Sequence, residues 1–173
     1  LCCSVRGDLA KALRDLLPRV QAGEIRGVVV ETTGLADPAP ILATLMSDVT
    51  AATKYRLDGV VTVVDALHGA AQMDAHPEAL RQMAVADRIV LSKTDLAAPD
   101  AVSALRERIA RINPGAKLLA HTLAAHLVLL LAVRILENLA SRYRRDALTH
   151  GEIQDVPCFD SLQDFLVLVG IEN

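Results

Sequence analysis

Four short, almost uninterrupted apolar runs organise the first 120 residues: Val28 to Glu31, Val60 to Val64, Ile89 to Leu91 and Lys117 to Ala120. Runs that are apolar throughout, rather than at alternate positions, are expected of strands buried on both faces of a parallel sheet. They begin at residues 28, 60, 89 and 117, and an interval of roughly 30 residues is one strand–helix–strand unit. Helical patterns fill the intervals. Asp8 to Val20 aligns Leu9, Leu13, Leu16, Leu17 and Val20 on one face. Pro38 to Ala52 opens with Asp37-Pro38, an N-cap followed by proline at the first helical position. Asp100 to Ile112 carries Leu105 and Ile109 inward and is stopped by Asn113-Pro114-Gly115. Strand and helix alternating in this way predict an α/β fold with a doubly wound, mainly parallel sheet. Such sheets bind ligands beyond the carboxyl ends of their strands.

The remaining residues, 121–173, read differently. Leu123 to Leu139 is a long aliphatic stretch broken by His126, Arg134 and Glu137. Its uninterrupted apolar part falls short of the roughly 20 residues that cross a bilayer, so a buried or docked helix is expected and no membrane span. Ser161 to Gly170 fits a short helix or a strand. The expected division is therefore 1–120 as one α/β unit and 121–173 as a mainly helical C-terminal segment.

Composition narrows the function classes. Hydrophobic residues make up 52% of the chain and the net charge is −3, which excludes a disordered polyampholyte. Aromatics are only 2%, so the core must be aliphatic. A pI near 5.9 argues against a nucleic-acid surface, which needs clustered Lys and Arg. Three cysteines, two of them adjacent, are not a secreted disulfide framework, and a reducing cytoplasm is the expected compartment.

Three residue groups carry candidate chemistry. Ser92-Lys93-Thr94-Asp95 follows the apolar run Ile89 to Leu91. An Asp at that place can accept both edge N–H groups of guanine, where adenine presents a mismatched pattern, and the Lys stem can lie along the base. A buried polar match of this kind rejects analogues strongly. Glu31 and Gly34 end the first strand. The carboxylate can hold magnesium through water or orient an attacking water. The glycine can bring its N–H to a γ-phosphate and move when that phosphate leaves. Asp37 in the same segment reads as a helix cap, and Asp65 at the end of the second strand reads as a cap or a ligand contact. Cys2-Cys3 reads either as two thiolates for a soft metal or as a pair of buried thiols. His68, His76, His121, His126 and His150 form no metal-binding helix motif, and Cys158 stands apart.

In this order the motifs resemble the CobW-like metallochaperone GTPases. Leu1-Cys2-Cys3-Ser4-Val5-Arg6-Gly7-Asp8-Leu9 resembles the later part of the family's Gly-Cys-x-Cys-Cys motif. Glu31 to Pro38 resembles its Walker B and switch segment. Asp58 to Ala66, Ser92 to Asp95 and Ile112-Asn113-Pro114 also match. The resemblance spans residues 1 to about 120. It implies a P-loop NTPase-like fold, here N-terminally truncated, that hydrolyses GTP with Mg2+ and delivers zinc or cobalt to a metal-requiring client protein. On that mapping Glu31 and Gly34 are catalytic, Ser92, Lys93 and Asp95 bind the nucleotide, and Cys2 and Cys3 bind metal. Two departures stand out. The 173 residues contain no Gly-x-x-x-x-Gly-Lys-Ser/Thr loop, which is expected upstream of Leu1, and 121–173 depart from the family pattern. A truncated, rearranged or frame-shifted product is one explanation, and these residues alone are expected to be inactive. The rival readings are a membrane-associated protein using Leu123 to Leu139, which ranks last, a non-catalytic metal- or partner-binding remnant and a nickel-enzyme maturation GTPase. The nickel factor would be expected to carry a histidine-rich tract, which is absent.

Overall fold

The structure, a computed structural model, describes residues 2–25, 27–32, 34, 36–120 and 165–171. Its elements run α1 (Cys2–Gln21), β1 (Gly27–Thr32), α2 (Pro38–Ser47), α3 (Val49–Lys54), β2 (Tyr55–Asp65), α4 (Gly69–Ala75), α5 (Pro77–Val85), β3 (Arg88–Ser92), α6 (Pro99–Ile112), β4 (Lys117–Ala120) and β5 (Phe165–Ile171). All four expected strands are present. The five-stranded sheet has the order β1-β5-β2-β3-β4. β2 pairs parallel with β3, and β3 with β4. β5 lies antiparallel to both β1 and β2, so β1 to β4 all point the same way. Their carboxyl ends therefore share one edge of the sheet.

β5 settles an open reading. Phe165–Ile171, which overlaps the Ser161 to Gly170 stretch that fitted helix or strand, is a strand within the 121–173 segment expected to be mainly helical. Residues 121–164, including the stretch Leu123 to Leu139, lie outside the described residues. Among the described residues, no helix is long and apolar enough to cross a membrane.

The second strand is longer than its apolar run. It begins at Tyr55, and its register against β5 shifts between Leu57 and Gly59. The extra residue, Asp58, resets the alternation, so Tyr55 and Val60 share one face despite odd and even numbering. Arg56 holds the bulge by donating to Asp58 Oδ1 at 2.7 Å. The helix expected over Pro38 to Ala52 is two helices. Asp48 ends α2 and caps α3, accepting from Thr50 N–H at 3.1 Å and Ala51 N–H at 3.0 Å. Its other oxygen takes Arg14 of α1 at 2.9 Å.

Two apolar clusters hold the helices to the sheet. Leu13, Ile41, Leu45, Ala51, Tyr55 and Val60 join α1, α2 and α3 to β2. Val64, Met73, Ala79, Met83, Ile89, Leu91, Leu105 and Ile109 join α4, α5 and α6 to β2 and β3. Burying each Val, Leu, Ile or Met side chain among them contributes about 1.5–3 kcal/mol. Val61, Val63 and Val90, which point the opposite way, are also buried. The central strands are therefore covered on both faces, as their continuous apolar sequence requires. Buried Tyr55 donates its hydroxyl to Leu13 O at 2.7 Å, tying β2 to α1.

Candidate functional site

Parallel pairing sets Asp65, the last residue of β2, directly beside Ser92, the last residue of β3. Ser92 is buried, and its hydroxyl donates to Val64 O at 3.4 Å. The Ala66 N–H donates to Ser92 O at 2.9 Å, carrying the pairing one step past the strands. The chain then turns at Lys93, whose φ of 57° is the one positive value at a non-glycine among the described residues. That backbone is uncommon for a side chain of this kind. The Leu96 N–H closes the turn on Lys93 O at 3.1 Å.

Asp65 is where this edge concentrates its charge. Its side chain is 2% exposed, and Lys93 Nζ lies 2.8 Å from Oδ2. Oδ1 accepts the Leu67 N–H at 2.7 Å, and His68 Nδ1 stands 3.5 Å from Oδ2. Burial works to raise the carboxyl's pKa. The Lys93 hydrogen bond, the Leu67 N–H and the Lys93 charge outweigh it, so the group is held below the ordinary aspartate value. Asp65 thus closes a turn through the Leu67 N–H rather than capping α4, whose N-cap is His68, and an ion pair that no local pattern announces goes with it. Asp95, two residues past Lys93, is exposed at the turn.

Glu31 and Gly34 reach the same edge from β1. Glu31 is exposed, and Gly34 lies just beyond the strand. β5 and β2 lie between β1 and β3, so Glu31 stands about two strand spacings from Asp65, roughly 9.5 Å, and about three from Ser92, roughly 14 Å. The segment carrying Gly34 is fastened from α5. Gln82, fully buried, donates through Nε2 to Gly34 O at 3.1 Å and to Ala36 O at 2.8 Å. Its Oε1 is buried with no hydrogen-bond partner. Thr62 of β2 donates its hydroxyl to Gln82 O at 3.0 Å, which fixes the helix at this residue. Next to it, Arg81 Nη1 meets Asp37 Oδ2 at 3.1 Å. Asp37 Oδ1 caps α2 through the Ala39 N–H at 3.0 Å. Sequence reading assigned nothing to Gln82, Arg81 or the Lys93–Asp65 pair. All are long-range contacts, and only the apolar context of Gln82 hinted at one.

Cys2 and Cys3 are the first two residues of α1, and their side chains lie outside the described residues. Among the described residues, no group of three or more His, Cys, Asp or Glu side chains could hold a metal ion. The sheet edge thus gathers Glu31, Gly34, Ser92, Lys93 and Asp95, and the cysteines are not joined to them by any described contact. A hard cation beside Glu31 would draw on water and ligand oxygens, as magnesium commonly does.

Residues 1–120 match the family model described as CobW/HypB/UreG, nucleotide-binding domain. The chain is similar to the zinc chaperone YjiA of Escherichia coli K12, at 44% identity over 115 residues, covering 65% of this chain and 36% of that protein. It is 35% identical over 123 residues to zinc-regulated GTPase metalloprotein activator 1 of Schizosaccharomyces pombe, covering 70% of this chain and 29% of that one. The crystal structure of the Zn(II)-bound YjiA GTPase from E. coli superposes with a TM-score of 0.52 at 39% identity, covering 65% of this chain and 35% of that chain. The chain thus spans about a third of the length of these relatives.

Proposed function

The chain belongs to the CobW/HypB/UreG nucleotide-binding family, and we propose that it supplies the base-reading and switch portion of a GTP-dependent metallochaperone. One observation carries this reading. Ser92, Lys93 and Asp95 stand at the carboxyl edge of the parallel strands, on the same edge as Glu31 and Gly34. That edge is where ligands bind in such sheets.

The roles follow from the chemistry of each group. Asp95, exposed at the turn, accepts the two edge N–H groups of guanine. Lys93 offers its methylene stem to the base face, and Ser92 closes the strand end beneath it. Glu31 holds magnesium through water or orients the attacking water, and Gly34 faces the γ-phosphate with its backbone N–H. Magnesium, when bound, neutralises charge on the phosphate oxygens. The loop that cradles the phosphates is not among the 173 residues. Cys2 and Cys3 take zinc or cobalt as cargo for a client protein. The names of the relatives, which specify zinc, support zinc first.

The test is nucleotide selectivity. In a chain joined to a phosphate-binding loop upstream, Asp95→Asn should weaken GTP binding and favour xanthosine triphosphate, because the amide reverses one hydrogen-bond polarity. Losing a charged hydrogen bond costs about 1.5–3 kcal/mol, roughly 10- to 150-fold in affinity. Equal GTP affinity in variant and parent by calorimetry would end the base-reading assignment.

A further inference from the structure

We propose that Asp65 is the positioning residue for the base-reading lysine, setting the path of the Lys93 stem without itself touching the nucleotide. This rests on the guanine reading above and adds to it a residue that reading does not use. Lys93 is fixed at both ends. Its backbone is held in the left-handed region between Ser92, paired with Asp65, and the Leu96 N–H on its carbonyl. Its ammonium is held 2.8 Å from Asp65 Oδ2. A side chain with four methylenes has many rotamers when only its root is fixed. With root and head both fixed, the stem becomes one defined apolar span. The Lys93 side chain is 38% exposed, so part of that span faces solvent, two residues from Asp95. A flat purine needs such a surface beside the carboxylate that reads its edge.

Asp65 is built for holding rather than for ligand contact. It is 2% exposed, and its Oδ1 is occupied by the Leu67 N–H. A buried carboxylate in this place needs a cation. Lys93 supplies it at hydrogen-bond distance, whereas His68 stands further off at 3.5 Å. A left-handed lysine persists where its surroundings over-determine it. Here the determinants are the strand pairing below and the carboxylate above.

The experiment uses residues 1–173, with GMP and AMP as probes at millimolar concentration, followed by backbone amide shifts. The parent should bind GMP in preference to AMP. Asp65→Asn keeps the shape and the Leu67 acceptor but loses the charge, and should weaken GMP about 5- to 10-fold. Lys93→Met should weaken it similarly, and the double variant should be no weaker than the worse single one. If the two losses multiply, or if Asp65→Asn binds GMP as the parent does while Asp95→Asn does not, the positioning role is overturned and base reading stands. If the parent fails to prefer GMP, or Asp95→Asn leaves GMP binding unchanged, base reading itself falls and the positioning role with it. A measurement on the parent covers the case of an unfolded variant. The Lys93 ammonium resonance should keep its hydrogen-bonded shift in saturating GMP. A move to the position of a free lysine would show that the base pulls Lys93 off Asp65, and would overturn the proposal.

Discussion

Gln82 Nε2 lies 2.8 Å from Ala36 O, and the same amide reaches Gly34 O at 3.1 Å. One buried side chain on α5 thus fastens the segment that follows β1. α5 is itself held at both its middle and its end. Thr62 pins the Gln82 carbonyl, and Asn113 Nδ2 donates to Met83 O at 2.9 Å and Ala86 O at 2.8 Å. A movement of the Gly34 segment would therefore pivot about Gln82 rather than carry α5 with it.

Gln82→Ala should cost about 2–4 kcal/mol in denaturant unfolding, since it leaves a cavity and two under-satisfied carbonyls. Gln82→Met fills most of the cavity and removes the unpartnered Oε1 as well, so its global cost should be smaller. Both should speed amide exchange between Gly34 and Ala39 while α6 and β3 keep their protection. Exchange that rises evenly across all three would mean that Gln82 only stabilises the core.

Asp65 predicts an acid limb in stability. Its folded carboxyl is held below the ordinary value although burial opposes this, chiefly by the Lys93 hydrogen bond. A depressed carboxyl contributes stability that is complete above its unfolded pKa, about 3.9, and is lost as pH falls through the folded pKa. The denaturant midpoint of the parent should thus fall below about pH 4 more steeply than that of Asp65→Asn. Parallel curves would show that the ion pair adds no net stability.

Gly69, at the start of α4, is a packing requirement. A Cβ placed there would lie 2.5 Å from Val64 Cγ1, with Leu105 Cδ2 at 3.7 Å on the next side. Val64 is buried in β2, one residue before Asp65, so it has little room to yield. Gly69→Ala should destabilise by about 1–3 kcal/mol through overpacking, despite the better helix propensity of alanine. A higher melting temperature in the variant would contradict this. Restoring space with Val64→Ala should recover part of the loss.

Local chemistry made some of this legible and left the rest hidden. Asp37-Pro38 announced the start of α2, and Asn113-Pro114-Gly115 the end of α6, because caps and breakers act over a few residues. The split at Asp48 was missed because apolar residues continue on both sides of it, and only the capping geometry shows the break. The start of β2 at Tyr55 was missed because the Asp58 bulge interrupts the alternation. Phe165–Ile171 is apolar with neither period, and its antiparallel place between β1 and β2 comes from pairing distant in sequence. At the candidate site the order of Glu31, Gly34 and Ser92 to Asp95 was readable, but the partners of Lys93 and Gly34 were not. They come from other elements, 28 and 48 residues away.

The cysteine pair gives the last prediction. Two thiolates complete only half of a tetrahedral zinc shell, so Cys2 and Cys3 alone should hold metal weakly. Cobalt is the informative probe, because its thiolate charge-transfer band reports sulfur ligands rather than total metal bound. In residues 1–173 the band should be weak and readily removed by a chelator. Placing Gly-Cys before Leu1, as the family motif implies, should strengthen it. Thiolate binding displaces protons, so the band should fade as pH drops further below the unperturbed thiol pKa of about 8.5. Cys2→Ser and Cys3→Ser should each diminish it. A band unchanged in both variants, or no gain on adding Gly-Cys, would make these residues an ordinary thiol pair and place the cargo metal elsewhere.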